Sequence, residues 1–439
     1  MSQNTLHTLD TAADTTPETL STARRQVLRG LGAAAAAASL PTLALAQSKT
    51  IRIGYISPIT GPLAPFGETD KYTVAKIQEL LKDGLTINGT KYAVEVLVRD
   101  SQSNPNKAAE LAGNLILNEK IHLMLPASTT DAINPVSDQC ELNGVPCLSS
   151  QAPWQSFVFP RGGSVEKPFK WTYHFFWGLE DVLASFTGMW NSVQTNRKVG
   201  LLFPRNADGE AWGNKEWGLP PAVTKAGFQT VIPSSFQPLT NDFSAQIAEY
   251  KKAGVDIIGG ISYPADLKTF ITQCRQQQFK PKVVTVAAAL LFPSGVEAMG
   301  ALGLGMSTEV WWTPAFPFKS SLTGQTSAKL AEDWEAATKK QWTQPLGYAH
   351  ALWEVALDVL KRAKDPTSRD AIRQSITETN MTTVAGPVNF TGGGPTPNIS
   401  KTPILGGQWV KGKKHKYDLR IVDNSASKLI VPEGKLQLI

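Results

Sequence analysis

The sequence predicts an α/β protein of two similar lobes, each a mainly parallel sheet flanked by helices. Three observations predict it. Strand-like and helix-like segments alternate from residue 51 onward, joined by short turns. The same alternation restarts at Lys198. Late in the chain, residues 348–360 form an apolar helical stretch that needs a sheet to cover. The chain has 439 residues, 42% hydrophobic and 18% charged, which is material for two globular cores.

Residues 51–56 alternate as a first strand. A loop with Pro58, Pro62, Pro65, Gly61 and Gly67 follows, and then an amphipathic helix. Proline pre-sets the backbone and removes donors that would need partners, while glycine allows close approach. Such a loop suits a rigid lip carrying Phe66 over a cleft; the plainer alternative is a loop that packs on the other lobe. Residues 92–98 read as a strand. Asn104 and Pro105 make an N-cap and first helical position. Behind them Ala108, Leu111, Ala112, Leu115 and Ile116 keep helical spacing. Residues 121–125 are a third strand, 135–142 a helix ending near Gly144, and 145–148 a fourth strand. In the second lobe, residues 198–203, 228–232, 255–258 and 283–286 read as strands, with helices over 242–252 and 265–277. The aromatic-rich segments 171–176 and 310–317 read as crossings between lobes. In the late helix Tyr348, Leu352, Val355 and Val359 line one face.

The N-terminus reads as an export signal. Arg24 and Arg25 precede a mild apolar run, residues 30–45, and Ala44-Leu-Ala46 offers small residues for a signal peptidase. The pair resembles a twin-arginine signal; an ordinary export signal is the alternative. The mature chain is then expected to begin near Gln47, after cleavage near Ala46, and to work in a bacterial periplasm. Cys140, Cys147 and Cys274 show no metal-ligand spacing. Cys140 and Cys147 flank a turn and could meet. An oxidising compartment permits that bridge, whereas export of a folded chain from a reducing cytosol opposes it. The sequence leaves the pairing open.

The net charge of +6 comes without a long basic run, and a solvated basic surface explains it better than a nucleic-acid partner. No dinucleotide glycine fingerprint, P-loop, H-E-x-x-H or G-x-S-x-G is present. The five histidines are scattered. Enzymatic activity, a cofactor and a metal are therefore not expected. The loops at strand ends are richer. Residues 126–130, 149–154, 204–213 and 259–266 carry hydroxyl, amide and aromatic groups at one sheet edge, where ligands of parallel sheets sit. Capping alone would explain one such loop; several at one edge favour a binding cleft.

The order of these pieces resembles the periplasmic solute-binding proteins of the branched-chain amino acid (Leu/Ile/Val) transport family, the type I two-lobed receptors of ABC importers. The matching stretches are Ile53-Gly-Tyr-Ile-Ser-Pro-Ile-Thr-Gly-Pro-Leu-Ala-Pro-Phe-Gly67, Arg99-Asp-Ser-Gln-Ser-Asn-Pro105, Asn134-Pro-Val-Ser-Asp-Gln-Cys-Glu141 with Gly144-Val-Pro146, and Asp208-Gly-Glu-Ala-Trp-Gly213. The resemblance implies two lobes joined by three crossings, residues 47–175 plus 313–385 and residues 176–312 plus 386–439, behind a signal over 1–46. It implies a small solute, an amino acid or similar carboxylate, captured by hinge closure and handed by a monomer to a membrane permease. A sensory ligand-binding module is a second reading.

By position, the resemblance places Phe66 on the ligand. Ser128 or Thr129 would bond a carboxylate, as would the chain around Gln151 and Ala152. Trp212 would face them from the other lobe, and Tyr263 and Asp266 would lie near the ligand's polar end. Two departures stand out. Pro153 and Trp154 occupy a turn that ends in Thr in amino-acid binders. The strand over 283–286 runs into Ala287-Ala-Ala-Leu-Leu291, where an acid for an ammonium group is missing. Trp154, Trp212 and Trp312 would suit an aromatic carboxylate.

Overall fold

The computed structural model describes residues 49–439. The stretch expected to be an export signal, residues 1–46, lies outside the described residues, and among those described no helix is long and apolar enough to cross a membrane.

The first sheet is built from β1 (Lys49–Ser57), β2 (Leu85–Ile87), β3 (Thr90–Asp100), β4 (Leu123–Pro126), β5 (Cys147–Ser150) and β6 (Thr172–Phe175). β1 pairs in parallel with β3 and β4, and the parallel ladder continues through β5 to β6; β2 is an antiparallel edge on β3. The helix Pro105–Leu117 starts as its sequence dictates, with the Asn104 side chain accepting the Lys107 N–H at 3.0 Å. The helix Thr130–Asn143 begins one turn before the expected 135, so Pro135 sits inside it. It ends on Gly144 at φ 64°, the left-handed geometry that glycine adopts most readily.

The second sheet comprises β7 (Lys198–Leu202), β8 (Gln229–Val231), β9 (Ile257–Ser262), β10 (Val283–Val284) and β11 (Ala287–Ala288), all parallel. Beside it runs β12 (Ser307–Val310). The chain then returns to the first sheet. The helix Pro345–Arg362 is buried nearly all round rather than on one face, and Trp353 stacks on Tyr55 of β1 at 5.6 Å. Gly347 lets this helix cross the Trp312 ring, which a Cβ would strike.

A hairpin follows, β13 (Asn380–Thr383) with β14 (Gly386–Asn389), and β15 (Ile399–Ser400) pairs with β6. The chain therefore stays with the first sheet beyond the expected boundary at 385. Segment 171–176, read as a crossing, is mostly strand; the chain leaves the first sheet after it. β16 (Leu405–Lys411) and β17 (Tyr417–Asp423) join β12 in an antiparallel sheet that the sequence pattern did not suggest. Gly406 and Gly407 sit mid-strand there because a Cβ would crowd Met189 and Val310. The three cysteines are buried and unbridged, and Cys147 Sγ faces the Ser137 hydroxyl at 3.7 Å.

Candidate ligand-binding site

The loops after β1, β4 and β5 leave the carboxyl ends of parallel strands and carry Phe66, Thr129, Gln151, Ala152 and Pro153 to one small cavity. From the second sheet come Ile261 of β9, Ala288 of β11, and Asp208 and Trp212 on the short helix Ala207–Trp212. β12 brings Glu309, and the crossing segments bring Phe176, Trp177 and Trp311. The cavity holds about 30 Å³, room for a water or two.

The lip after β1 is tied down at several points. Asp100 accepts the Ile59, Thr60 and Gln102 amides and the Thr60 hydroxyl, so it serves the loop. Gly61, at φ 90°, lies where a Cβ would meet Ser103. The lip carries Phe66 edge-on to Phe292 at 4.9 Å and to Tyr263 at 6.5 Å. It therefore both lines the cavity and packs on the second lobe.

Backbone strain gathers at the same place. Ser128 (φ 64°), Thr129 (φ 65°), Gln151 (φ 74°) and Ala288 (φ 64°) are all in the left-handed region without being glycine. Each costs about 1–3 kcal/mol, and such residues cluster at ligand clamps. Unpaired donors gather there too. The Thr129 hydroxyl, the Gln151 amide nitrogen and the indole nitrogens of Trp177 and Trp212 are buried with no hydrogen-bond partner. Leaving a buried donor unmade costs about 1–3 kcal/mol. A solute bearing acceptors would satisfy them.

The loop after β5 is held from behind. His174 of β6 is fully buried, stacks on Phe157 at 4.6 Å, and binds the Ala152 carbonyl through Nε2 at 2.7 Å. Its Nδ1 meets the Ser149 hydroxyl at 2.9 Å. Burial pushes its pKa down to about 3, so the ring is neutral, with Nε2–H donating and Nδ1 accepting. His174→Phe keeps the stack, strands the Ala152 carbonyl and leaves the Ser149 hydroxyl only its 3.3 Å bond to the Tyr173 carbonyl. The unfolding free energy is expected to fall by about 2–4 kcal/mol, read from the urea midpoint. An unchanged midpoint would mean that the loop holds itself.

Two acids meet across the cleft. Asp131, in the first turn of Thr130–Asn143, faces the Ala207 amide, and Asp208 faces the Thr130 amide. Each helix start thus offers its N–H groups to the other lobe's carboxyl. The Tyr263 hydroxyl donates to Asp208 at 2.8 Å and accepts from the Asn206 side chain at 2.9 Å. Burial, with Asp208 adding to it, pushes Asp131 up to about 7. Glu309, 2% exposed, accepts the Ala288 N–H at 3.1 Å and the Thr308 hydroxyl at 2.6 Å; burial pushes it up to about 7.

Five of the nine residues named from sequence line the cavity: Phe66, Thr129, Gln151, Ala152 and Trp212. Ser128 lies behind them, its hydroxyl donating to the Phe66 carbonyl at 3.3 Å. Tyr263 lies behind Asp208. The other two point elsewhere. Asp266 accepts the Leu239 amide at 2.7 Å, and Trp154 donates to Glu180 at 3.1 Å. Trp312 is core, its indole donating to the Val384 carbonyl. The sequence pattern gives Glu309 and Trp177 no role, places Phe176 and Trp311 only in the crossing segments, and carries Asp208 only within a motif.

Two lobes with opposed strand-end loops around one cavity define the class of periplasmic binding proteins. The profile of the periplasmic binding protein family matches residues 50–409, and the chain belongs to that family. It is 26% identical over 262 residues to the Leu/Ile/Val-binding protein homolog 3 of Brucella melitensis, an alignment covering 60% of this chain and 63% of that relative. The chain thus spans less than two thirds of that relative's length. Its fold is shared with solved two-lobed binding proteins of type I. The leucine-binding protein LivK of Thermotoga maritima superposes with a TM-score of 0.70 at 17% identity, over 85% of this chain and 99% of that one. An ABC-transporter solute-binding protein of Rhodopseudomonas palustris, solved with 3,4-dihydroxybenzoic acid, superposes with a TM-score of 0.66 at 18% identity, over 87% and 98%.

Proposed function

We propose that this chain is the periplasmic receptor of an ABC importer, which captures a small organic carboxylate between its lobes and delivers it to a membrane permease. The observation that carries this reading is the set of unpaired donors. Thr129, Gln151, Trp177 and Trp212, from both lobes and a crossing, converge on one cavity with nothing to bind. A carboxylate supplies acceptors to all of them at once. The cavity has no room for such a solute as it stands, so entry requires the lobes to part, and capture is their closing on the solute at a wider setting than this empty one. The solute then shifts the open–closed equilibrium by the contacts it makes to both lobes. In this reading the chain is a monomer, needs no cofactor or nucleic acid, and loses its signal near Ala46. Relatives carry names that speak of leucine, isoleucine and valine, and a structural neighbour holds an aromatic acid. Both solute types have the carboxylate that the donors ask for.

Titration of tryptophan fluorescence with leucine, phenylalanine, benzoate and 3,4-dihydroxybenzoate tests this, because Trp177 and Trp212 border the cavity. At least one acid is expected to give a saturable change. A flat response to all of them, with no small molecule released from the denatured protein in mass spectrometry, would reject the receptor reading.

A further inference from the structure

The charges around the cavity do not balance. Its lining contains Asp208 and Glu309 and no lysine, arginine or histidine. Asp208 has Tyr263 and the Thr130 amide as partners. Glu309 has only neutral partners, the Ala288 N–H, the Thr308 hydroxyl and the Trp311 indole beside it, and no cation forms an ion pair with it among the described residues. A buried acid without a counter-charge is costly. A plain carboxylate solute would make the imbalance worse.

Beside Glu309 stands a continuous aromatic wall. Trp311 contacts Phe176 at 5.1 Å, Phe176 contacts Trp177 at 4.6 Å, and Trp177 contacts Trp212 at 6.2 Å with perpendicular planes. Aromatic rings attract cations, tryptophan most of all, and more strongly where water is excluded.

We propose that the solute carries, besides its carboxylate, an alkylated ammonium group that sits against this aromatic wall with Glu309 as its counter-ion. The inference rests on the receptor reading and names its ligand class, the betaines. A primary ammonium would need three acceptors. Each Glu309 oxygen already receives one protein donor, Asp208 Oδ2 receives the Tyr263 hydroxyl, and the Gln151 carbonyl oxygen faces the Ser128 hydroxyl at 3.4 Å, so a primary ammonium would have to share these oxygens at their second lone pairs while the aromatic rings around it offer no acceptor. An alkylated nitrogen needs no acceptor. Its charge is spread over methyl groups that pack on indole rings, and Glu309 neutralises it through space. The carboxylate of the same molecule takes the donors of Thr129 and Gln151 and the indole N–H groups of Trp177 and Trp212, and the Glu309 end of the wall, Trp311 and Phe176, is left to the alkyl groups. The rise of the Glu309 carboxyl toward neutral pH fits an acid waiting for a cation.

Isothermal titration with glycine betaine and with 3,3-dimethylbutanoate isolates the charge, because the second compound replaces the nitrogen by carbon at the same shape. Leucine and benzoate complete the set, and native protein is compared with Glu309→Gln. Glycine betaine is expected to bind native protein at least tenfold more tightly than its carbon isostere, and the ratio is expected to fall toward one in E309Q. The native comparison stands alone if the variant fails to fold. An isostere that binds as well as glycine betaine, or no heat from glycine betaine at all, overturns the cation. If leucine or benzoate binds more tightly than either, the cation inference fails and the receptor survives. If none of the four binds and no solute leaves the denatured protein, both fail.

Discussion

The melting temperature of this protein is expected to be higher at pH 5 than at pH 8, by on the order of 5 °C. The cause is a set of buried acids with no charged partner, the nearest base being His350, 3.4 Å from Glu354 and kept neutral by its own burial. Asp70 lies under β1, its carboxylate bonded to the Ser57 hydroxyl; Glu354 lies within the helix Pro345–Arg362 and accepts the Val384 amide; Glu309 faces the cavity. All three are at most 2% exposed, and burial pushes each up to about 7. Each therefore has a folded pKa above its unfolded value near 4. The folded protein binds the extra protons, so stability is fully present below about pH 4 and is lost as pH rises through 7. Each group contributes on the order of 2–3 kcal/mol between pH 8 and pH 5. Two histidines act in the opposite sense. His174 and His350 are buried and pushed down to about 3 and about 4, so the unfolded chain takes protons that they refuse as pH falls through 6.5. The three acids outnumber the two histidines, which leaves a net gain on acidification. Calorimetric scans at pH 5, 6.5 and 8 check this, and Asp70→Asn is expected to flatten the slope. A melting temperature that is level or rises toward pH 8 would remove the premise that these acids are unpaired in the fold.

Much of the architecture could be read in the sequence because local chemistry and tertiary position agree. Asn104 before Pro105 caps a helix wherever it lies, and Gly144 ends one by the geometry that glycine favours. The prolines and glycines around Phe66 mark a rigid lip by their own constraints. The rest depends on long-range pairing. Glu309 is one acid in a short strand, with the hydroxyl residues Ser307 and Thr308 before it and Val310 and Trp311 after it, and its place beside the cavity depends on the pairing of β12 with β16. Trp177 has the same character, since a tryptophan at a crossing reads as core until its neighbours are known. The strain at Ser128, Thr129 and Gln151 has no signature in residue type, because glycine would be the expected letter. Asp266 and Trp154 show the opposite failure: they sit at strand ends, as ligand residues do, but Leu239 and Glu180 have taken their polar atoms. No acid stands in residues 287–291 themselves; the nearest is Glu309 of the next strand, whose oxygen meets the Ala288 amide, a proximity set by folding and not by sequence.

Gly209→Ala is expected to weaken binding of whichever solute saturates native protein by at least a hundredfold while the overall fold persists. Gly209 lies in the first turn of the helix Ala207–Trp212, and a Cβ there would collide with the Pro204 carbonyl oxygen, a backbone atom that cannot rotate away. The turn must move outward. With it moves the Gly209 amide, which the Asn206 side chain caps at 3.0 Å, and Asn206 itself is tied to Tyr263. Asp208 and Trp212 ride on the same turn, so one methyl group displaces the acid that meets Asp131's lobe and the indole that borders the cavity. A displacement of this kind costs far more in a binding site than in a surface loop, because each donor must meet its acceptor within a few tenths of an ångström. Gly113→Ala is the control. Its Cβ would stand 3.8 Å from the nearest atom, the Gln139 side-chain oxygen, inside the helix Pro105–Leu117, and alanine there stabilises by about 0.5–1 kcal/mol. Fluorescence titration and thermal melts of both variants separate the two effects. Binding by Gly209→Ala within threefold of native would show that the helix Ala207–Trp212 can shift without disturbing the cavity, and that the second lobe holds the solute by other residues.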